Sequence, residues 1–252
     1  MIQVISQIFH NFRGTSGNFL HDVFIEAGTQ AGYTATEDVN GFQQEGVGKF
    51  DMTIHEGKRW STASAYLRPA LKERSDQVSV KSSVLVHKVL FEGSKAVGIE
   101  LSDKNGNVEK IYGDEIILSG GAINSPQLLM LSGVGDADHL KDLDIPVQAH
   151  VPGVGQNLQD HLELYVAQKC KKPVTLLQDQ KFPRMIQVGV QWFMNQGGAC
   201  GTAHLESGGF ARSRPGVPHP DIMFHFLPSQ VSTFSREIIS YLMLNIKMDR
   251  GI

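Results

Sequence analysis

The sequence is poor in the features that announce whole classes of function. Its two cysteines, Cys170 and Cys200, stand far apart without a Cys-x-x-Cys spacing, which argues against a disulfide framework or thiolate zinc site and reads as reduced, structural thiols. No apolar run reaches the roughly 20 residues of a membrane-spanning helix. The nearest, Ile238 to Leu244, is broken by Ser240 and stops at Asn245. A formal charge of −3 without long blocks of one sign gives no reason to expect nucleic acid or an anionic membrane as partner. There is no phosphate-binding loop, no metal-ligand spacing and no Gly-x-Ser-x-Gly elbow, and neither an internal repeat nor a low-complexity tract. Between Met1 and Phe12 the apolar residues Ile2, Ile5, Ile8 and Phe9 precede one basic residue, Arg13, too little arginine and serine for a transit peptide.

What remains is ordinary for a globular protein. The 252 residues, 41% hydrophobic and 19% charged, suffice for one large or two small domains with a substantial core. Helical spacing of Phe19, Leu20, Val23, Phe24, Ala27 and Ala31 predicts an amphipathic helix from Asn18, its cap, to Gly32, its stop. Thr36 to Gly48 is polar, glycine-rich and aperiodic, and reads as a long loop. Helical spacing resumes from Arg59 to Leu71. From Val78 to Tyr112 the period changes to two around an Asn105-Gly106 turn, predicting strands joined by hairpins. Short helices are expected from Asp136 to Leu143 and from Met185 to Asn195, and strands at Glu206 to Phe210 and Asp221 to Leu227.

The most informative stretch is Ser119 to Gly135. The largely apolar run Asp114 to Ser119 leads into it and reads as a buried, parallel strand. Gly120 and Gly121 follow, then Ser125-Pro126 as a helix start with serine as cap and proline at the first position. A strand that turns through residues lacking a Cβ into a helix lets a nucleotide approach the main chain. An ordinary strand-turn-helix join is the plain alternative.

Gly121, Ala122, Ser125, Pro126, Leu128, Leu129, Ser132, Gly133, Val134 and Gly135 resemble the second signature of the glucose-methanol-choline family of flavin oxidoreductases. Asn40 to Gly46, Asp51 to Trp60, Gly153 to His161 and Pro218 to Ile222 are similar to its choline-oxidising members. The resemblance runs from about Gly14 to about Val231 and covers the middle of the family pattern. The first GxGxxG fingerprint and the C-terminal segment with the catalytic histidine and asparagine have no counterpart, so no catalytic residue is assigned. The resemblance implies an α/β fold of mixed α+β character: an incomplete, Rossmann-like FAD-binding domain with part of an antiparallel-sheet substrate domain. Residues 1–75 would bridge the two, 76–160 belong to the FAD-binding part, 161–231 to the substrate part, and 232–252 form a tail unlike the family.

The implied activity is FAD-dependent oxidation of a primary alcohol, choline to betaine aldehyde, with this chain alone inactive. The alternative is a non-catalytic interaction protein or pseudoenzyme fragment that pairs its open sheet edge with a partner. For the cofactor, the resemblance points to the main chain of Val86, at the adenine edge, and to Gly120, Gly121 and Ala122. For the substrate it points to His161, Glu163 and His225. A quaternary ammonium has no N–H to donate, so a carboxylate and aromatic faces hold it. His161 and Glu163, two apart, share one face if the backbone is extended. Each has a plain reading as well: Glu163 as a solvated strand residue, the histidines as hydrogen-bonded core residues. His21 and His139 are taken as core or surface residues, and Arg59-Trp60 as a helix start. The family implies a mitochondrial location, while the sequence before Arg13 leaves the cytoplasm open. Oligomeric state is not legible.

Overall fold

The computed structural model describes residues 12–13, 17–231, 238–239 and 241–248. The stretch from Met1 to Asn11, read for an import signal, and much of the expected tail lie outside them. The chain divides into two compact units, one built from residues 1–75 and 161–252, the other from 76–160. In chain order the principal elements are α1 (Leu20–Gln30), β1 (Gly46–Lys49), α2 (Arg68–Glu73), β2 (Val84–Glu92), β3 (Lys95–Asp103), β4 (Val108–Tyr112), α3 (Gly121–Leu131), α4 (Ala137–Asp142), β5 (Leu162–Lys169), α5 (Arg184–Asn195), β6 (Ser207–Ala211), β7 (Ile222–Leu227) and β8 (Tyr241–Met248). The chain is thus a mixture of helix and sheet.

The first unit is organised by an antiparallel sheet of order β5-β8-β7-β6-β1. Alternation along its strands gives it two unlike faces. Ser207, opposite Phe226, belongs to the face that α1 covers. There Phe24 stacks on Phe226 with ring centroids 4.8 Å apart, His21 meets the same ring edge-on at 5.6 Å, and His21 Nδ1 lies 2.8 Å from Ser207 Oγ. His21 is therefore a core residue, 2% exposed. Helix α1 starts where the Asn18 side chain accepts from the Leu20 N–H at 3.0 Å, and it stops at Gly32, whose φ of +96° a side chain would resist.

On the opposite face lie Gly208, opposite His225, and Phe210, opposite Met223. A Cβ on Gly208 would stand 2.5 Å from the Phe50 ring. The absence of a side chain is what lets Phe50 settle over the strand, edge-on to His225 at 5.4 Å. The end of the expected loop, Gly46 to Gly48, belongs to strand β1 instead, because its main chain finds a partner in β6. Tyr241–Met248, in the stretch read from sequence as a tail, runs between β5 and β7.

In the second unit β2, β3 and β4 form an antiparallel meander. The β3-β4 turn is held by Asp103, whose carboxylate accepts from the N–H groups of Asn105 and Asn107 at 2.8 and 2.9 Å. The Asn107 side-chain amide, first among several hydrogen bonds, holds that carboxyl below its usual range. Helix α4 is capped by Asp136, which accepts from Asp138 and His139 at 3.1 and 3.0 Å, and it buries Leu140 completely.

Two expectations fail here. Asp114 to Ser119 is not a buried strand: among the described residues it has no ladder partner, and Ile117 is 79% exposed. An apolar run becomes a strand only when another backbone pairs with it. Nor does α3 begin at Ser125-Pro126. It begins at Gly121, with Pro126 inside it, while the Ser125 hydroxyl turns back to accept from the Gly120 N–H at 2.9 Å.

Candidate functional site

The residues expected for the substrate fall in the first unit. Glu163 and Tyr165 are neighbours on one face of β5, two residues apart. Glu163 is in register with Lys247 of β8, which is in register with Met223 of β7. Tyr165 is likewise in row with His225 through Asn245. Residues opposite one another in an antiparallel sheet project to the same side. Glu163, Tyr165, Met223 and His225 thus share the face opposite α1, with β5 and β7 separated by β8, roughly 9–10 Å at two strand spacings.

His225 is half-buried and lines a cavity of about 680 Å³ together with Phe50, Asp51, Arg59, Phe210 and Met223. Its lining includes aromatic and thioether groups together with one carboxylate, Asp51, and two cations, Lys58 and Arg59. Arg59 thus contributes to a cavity and sits in a two-residue strand, paired with Ile54, where a helix start was expected. Glu163 and Tyr165 are exposed, and the Tyr165 hydroxyl donates to the Glu163 carboxylate. That hydrogen bond, followed by partial loss of solvent, raises the Tyr165 phenol above its ordinary value of 10.0. His161 is exposed and lies just outside β5.

Sequence reasoning missed Tyr165, although the two-residue period that linked His161 to Glu163 extends to it. It also missed Phe50 and Met223. Phe50 had no local signal, since it reaches His225 only through the pairing of β6 with β7 and the missing side chain at Gly208.

The residues expected for the cofactor fall in the second unit. Val86 and Gly120 line one cavity of about 1000 Å³, with Ile99, Ile111, Ile116 and Leu128 among its walls. Among the described residues β2 is an edge strand, and its register slips between Val86 and Lys88. Farther along that edge the Val89 N–H donates to Ser132 Oγ at 2.8 Å. Gly121 follows at a φ of +88°, with open space where a Cβ would be. Ala122 lines a different hollow, with Gly153 to Gln159. The larger cavity suits a flat, largely apolar ring with one hydrogen-bonding edge. No lysine or arginine lines it, and the Gly120 N–H at the start of α3 is already bonded to Ser125, so it offers little to a pyrophosphate. Among the described residues no histidine, cysteine and carboxylate cluster could hold a metal ion, and no helix is long and apolar enough to cross a membrane.

Comparison with known proteins gives these sites a family. Mitochondrial choline dehydrogenase of Mus musculus is 59% identical over 229 residues, 90% of this chain and 38% of that protein. The Homo sapiens protein of the same name is 60% identical over 225 residues, 89% and 37% respectively. The oxygen-dependent choline dehydrogenase of Staphylococcus xylosus is 48% identical over 219 residues, 87% of this chain and 39% of that one. The chain therefore spans less than two-fifths of the length of these relatives. Among solved structures, a formate oxidase of Aspergillus oryzae RIB40 superposes over 96% of this chain and 47% of its own with a TM-score of 0.81 at 19% identity, a likeness of fold. Pyridoxine 4-oxidase from Mesorbium loti covers 91% of this chain and 41% of its own, with a TM-score of 0.68 and 26% identity. The family model described as GMC oxidoreductase matches residues 6–163, a span that takes in both the glycine turn beside the larger cavity and the first residues of strand β5. The chain belongs to the glucose-methanol-choline (GMC) family of FAD-dependent oxidoreductases.

Proposed function

We propose that this chain supplies the alcohol-binding face and the nucleobase end of the flavin site in an FAD-dependent oxidation of choline to betaine aldehyde. The observation that carries the reading is the common face of Glu163 and His225, separated by one strand. A short amino alcohol with a fixed positive charge at one end needs a carboxylate at that end and a hydrogen-bonding group at the other. Glu163 would face the ammonium, and His225, within the aromatic cavity, the hydroxyl. His161, next to the start of β5, would contribute on the Glu163 side.

Bound FAD would supply the acceptor for the hydride that leaves the alcohol carbon. The main chain of Val86 on the open edge of β2, with the turn at Gly120 and the open backbone at Gly121, would hold its adenine. Ala122, in a separate hollow, would support the turn. Because the relatives are more than twice as long, the oxidation belongs to the whole protein and binding to this chain. The mitochondrial compartment of the mouse and human relatives is part of the same proposal.

The test is calorimetric titration of the chain with choline and with its neutral isostere 3,3-dimethylbutan-1-ol. Choline should bind more tightly, and Glu163→Gln should erase the preference. Equal affinity of the unaltered chain for the two alcohols would overturn the proposal.

A second reading, an interaction module, is favoured by one observation: the apolar stretch Asp114 to Ser119 lacks a strand partner among the described residues while Ile117 is largely exposed. A colourless chain that takes up no FAD and co-purifies with a partner lost on Ile117→Lys would support it.

A further inference from the structure

We infer that Tyr165 is a positioning residue for Glu163, fixing the carboxylate by its hydroxyl and offering its ring as one wall of the seat for a trimethylammonium group. The inference rests on the choline reading above and adds to it a residue that sets cation specificity. Side chains at i and i+2 of a strand stand side by side, and here the phenol leans back far enough to donate to the carboxylate. An unrestrained glutamate on an exposed strand samples several rotamers. One held by a neighbouring phenol presents its carboxylate in a fixed direction. The ring that carries the hydroxyl is then necessarily beside the carboxylate. A cation seated on Glu163 and over the ring of Tyr165 would meet an aromatic face and a charge together, the combination that holds a quaternary ammonium.

The row structure of the sheet gives this pair its direction. Tyr165 and His225 are in one row across β8, Glu163 and Met223 in the next. A ligand running diagonally from Glu163 in one row to His225 in the other would have its ammonium at Glu163, beside the ring of Tyr165, and its hydroxyl toward His225. Leu162 and Leu164 alternate to the other face and take no part. The raised phenol is consistent with this arrangement, since losing its proton beside a carboxylate would put two negative charges together.

The experiment uses the full 252-residue chain and three variants, Tyr165→Phe, Tyr165→Leu and Glu163→Gln, each checked by circular dichroism. Near-ultraviolet difference titration of the unaltered chain against Tyr165→Phe isolates the ionisation of Tyr165. It should occur above the ordinary tyrosine value and return toward that value in Glu163→Gln. Calorimetric titration with choline and 3,3-dimethylbutan-1-ol then reads the preference for charge. Tyr165→Phe keeps the ring and loses the donor, so the preference should fall roughly threefold or more. Tyr165→Leu loses both and should fall a further two- to fivefold or so. If the unaltered chain prefers choline and Tyr165→Phe retains the whole preference, Tyr165 does not position Glu163 while the choline reading stands. Positioning is equally excluded if Glu163→Gln leaves the Tyr165 titration unmoved. If the unaltered chain shows no preference for choline, the choline reading fails and this inference falls with it.

Discussion

Phe226 and His225 are adjacent in sequence and should behave as though they belonged to different parts of the protein. Phe226 is 7% exposed and stacked on Phe24 of α1, whereas His225 faces the cavity on the other side of the same strand. Replacing Phe226 by alanine removes a buried ring and leaves a hole between helix and sheet, which costs about 3–5 kcal/mol in well-packed sites. The stacked pair accounts for about 0.5–1.5 kcal/mol of aromatic coupling beyond burial. At about 2–4 °C per kcal/mol for a chain of this size, the unfolding midpoint should fall by on the order of 10 °C. His225→Ala should lower the midpoint much less and weaken binding of choline. Scanning calorimetry and urea titration of both variants measure the contrast, and a double-mutant cycle with Phe24→Leu isolates the stack. A Phe226→Ala variant as stable as His225→Ala would refute the assignment of the two faces, and with it the grouping of Glu163 with His225.

Acid should destabilise the first unit. Burial, ahead of the opposing pull of Glu206, lowers the His21 pKa below its ordinary 6.5, and burial lowers that of His204 likewise. The unfolded chain therefore binds more protons than the folded one. The stabilisation is complete above about pH 6.5 and is lost as the pH falls through the folded-state values, so urea midpoints should decline on acidification. His21→Asn should flatten that decline, and a midpoint that rises toward acid would contradict the argument. In the second unit Leu140 is wholly buried, and Leu140→Ala should cost about 2–5 kcal/mol. Limited proteolysis should then cut within residues 76–160 first, and a variant as resistant there as the unaltered chain would show that α4 is not anchored by this side chain.

Much of the fold is legible because its signals are local. The two-residue period of β2 to β4, the Asn105-Gly106 turn, the Asp136 cap and the stop at Gly32 are each decided within a few residues. The pairing expected at Asp114 to Ser119 is a different matter, because apolar character alone does not distinguish a paired strand from an extended segment without a neighbour. The start of α3 is misplaced for a related reason. Ser125-Pro126 is a good opening for a helix, but its hydroxyl serves Gly120, and the helix extends back over Gly121 to Asn124. At the candidate site, Glu163 with its neighbour Tyr165 can be read from the alternation of one strand. The nearness of His225 to them cannot, since it depends on which strand lies between β5 and β7.

That intervening strand acts as a gauge. Were β8 absent, β5 and β7 could close on each other and the two ends of the site would stand one spacing apart instead of two, about 5 Å in place of 10. On the proposed reading, the distance between Glu163 and His225 is thus metered by the backbone of residues 241–248. Because backbone hydrogen bonds set that spacing, only loss of the strand, and not exchange of its side chains, would change the distance across the proposed site.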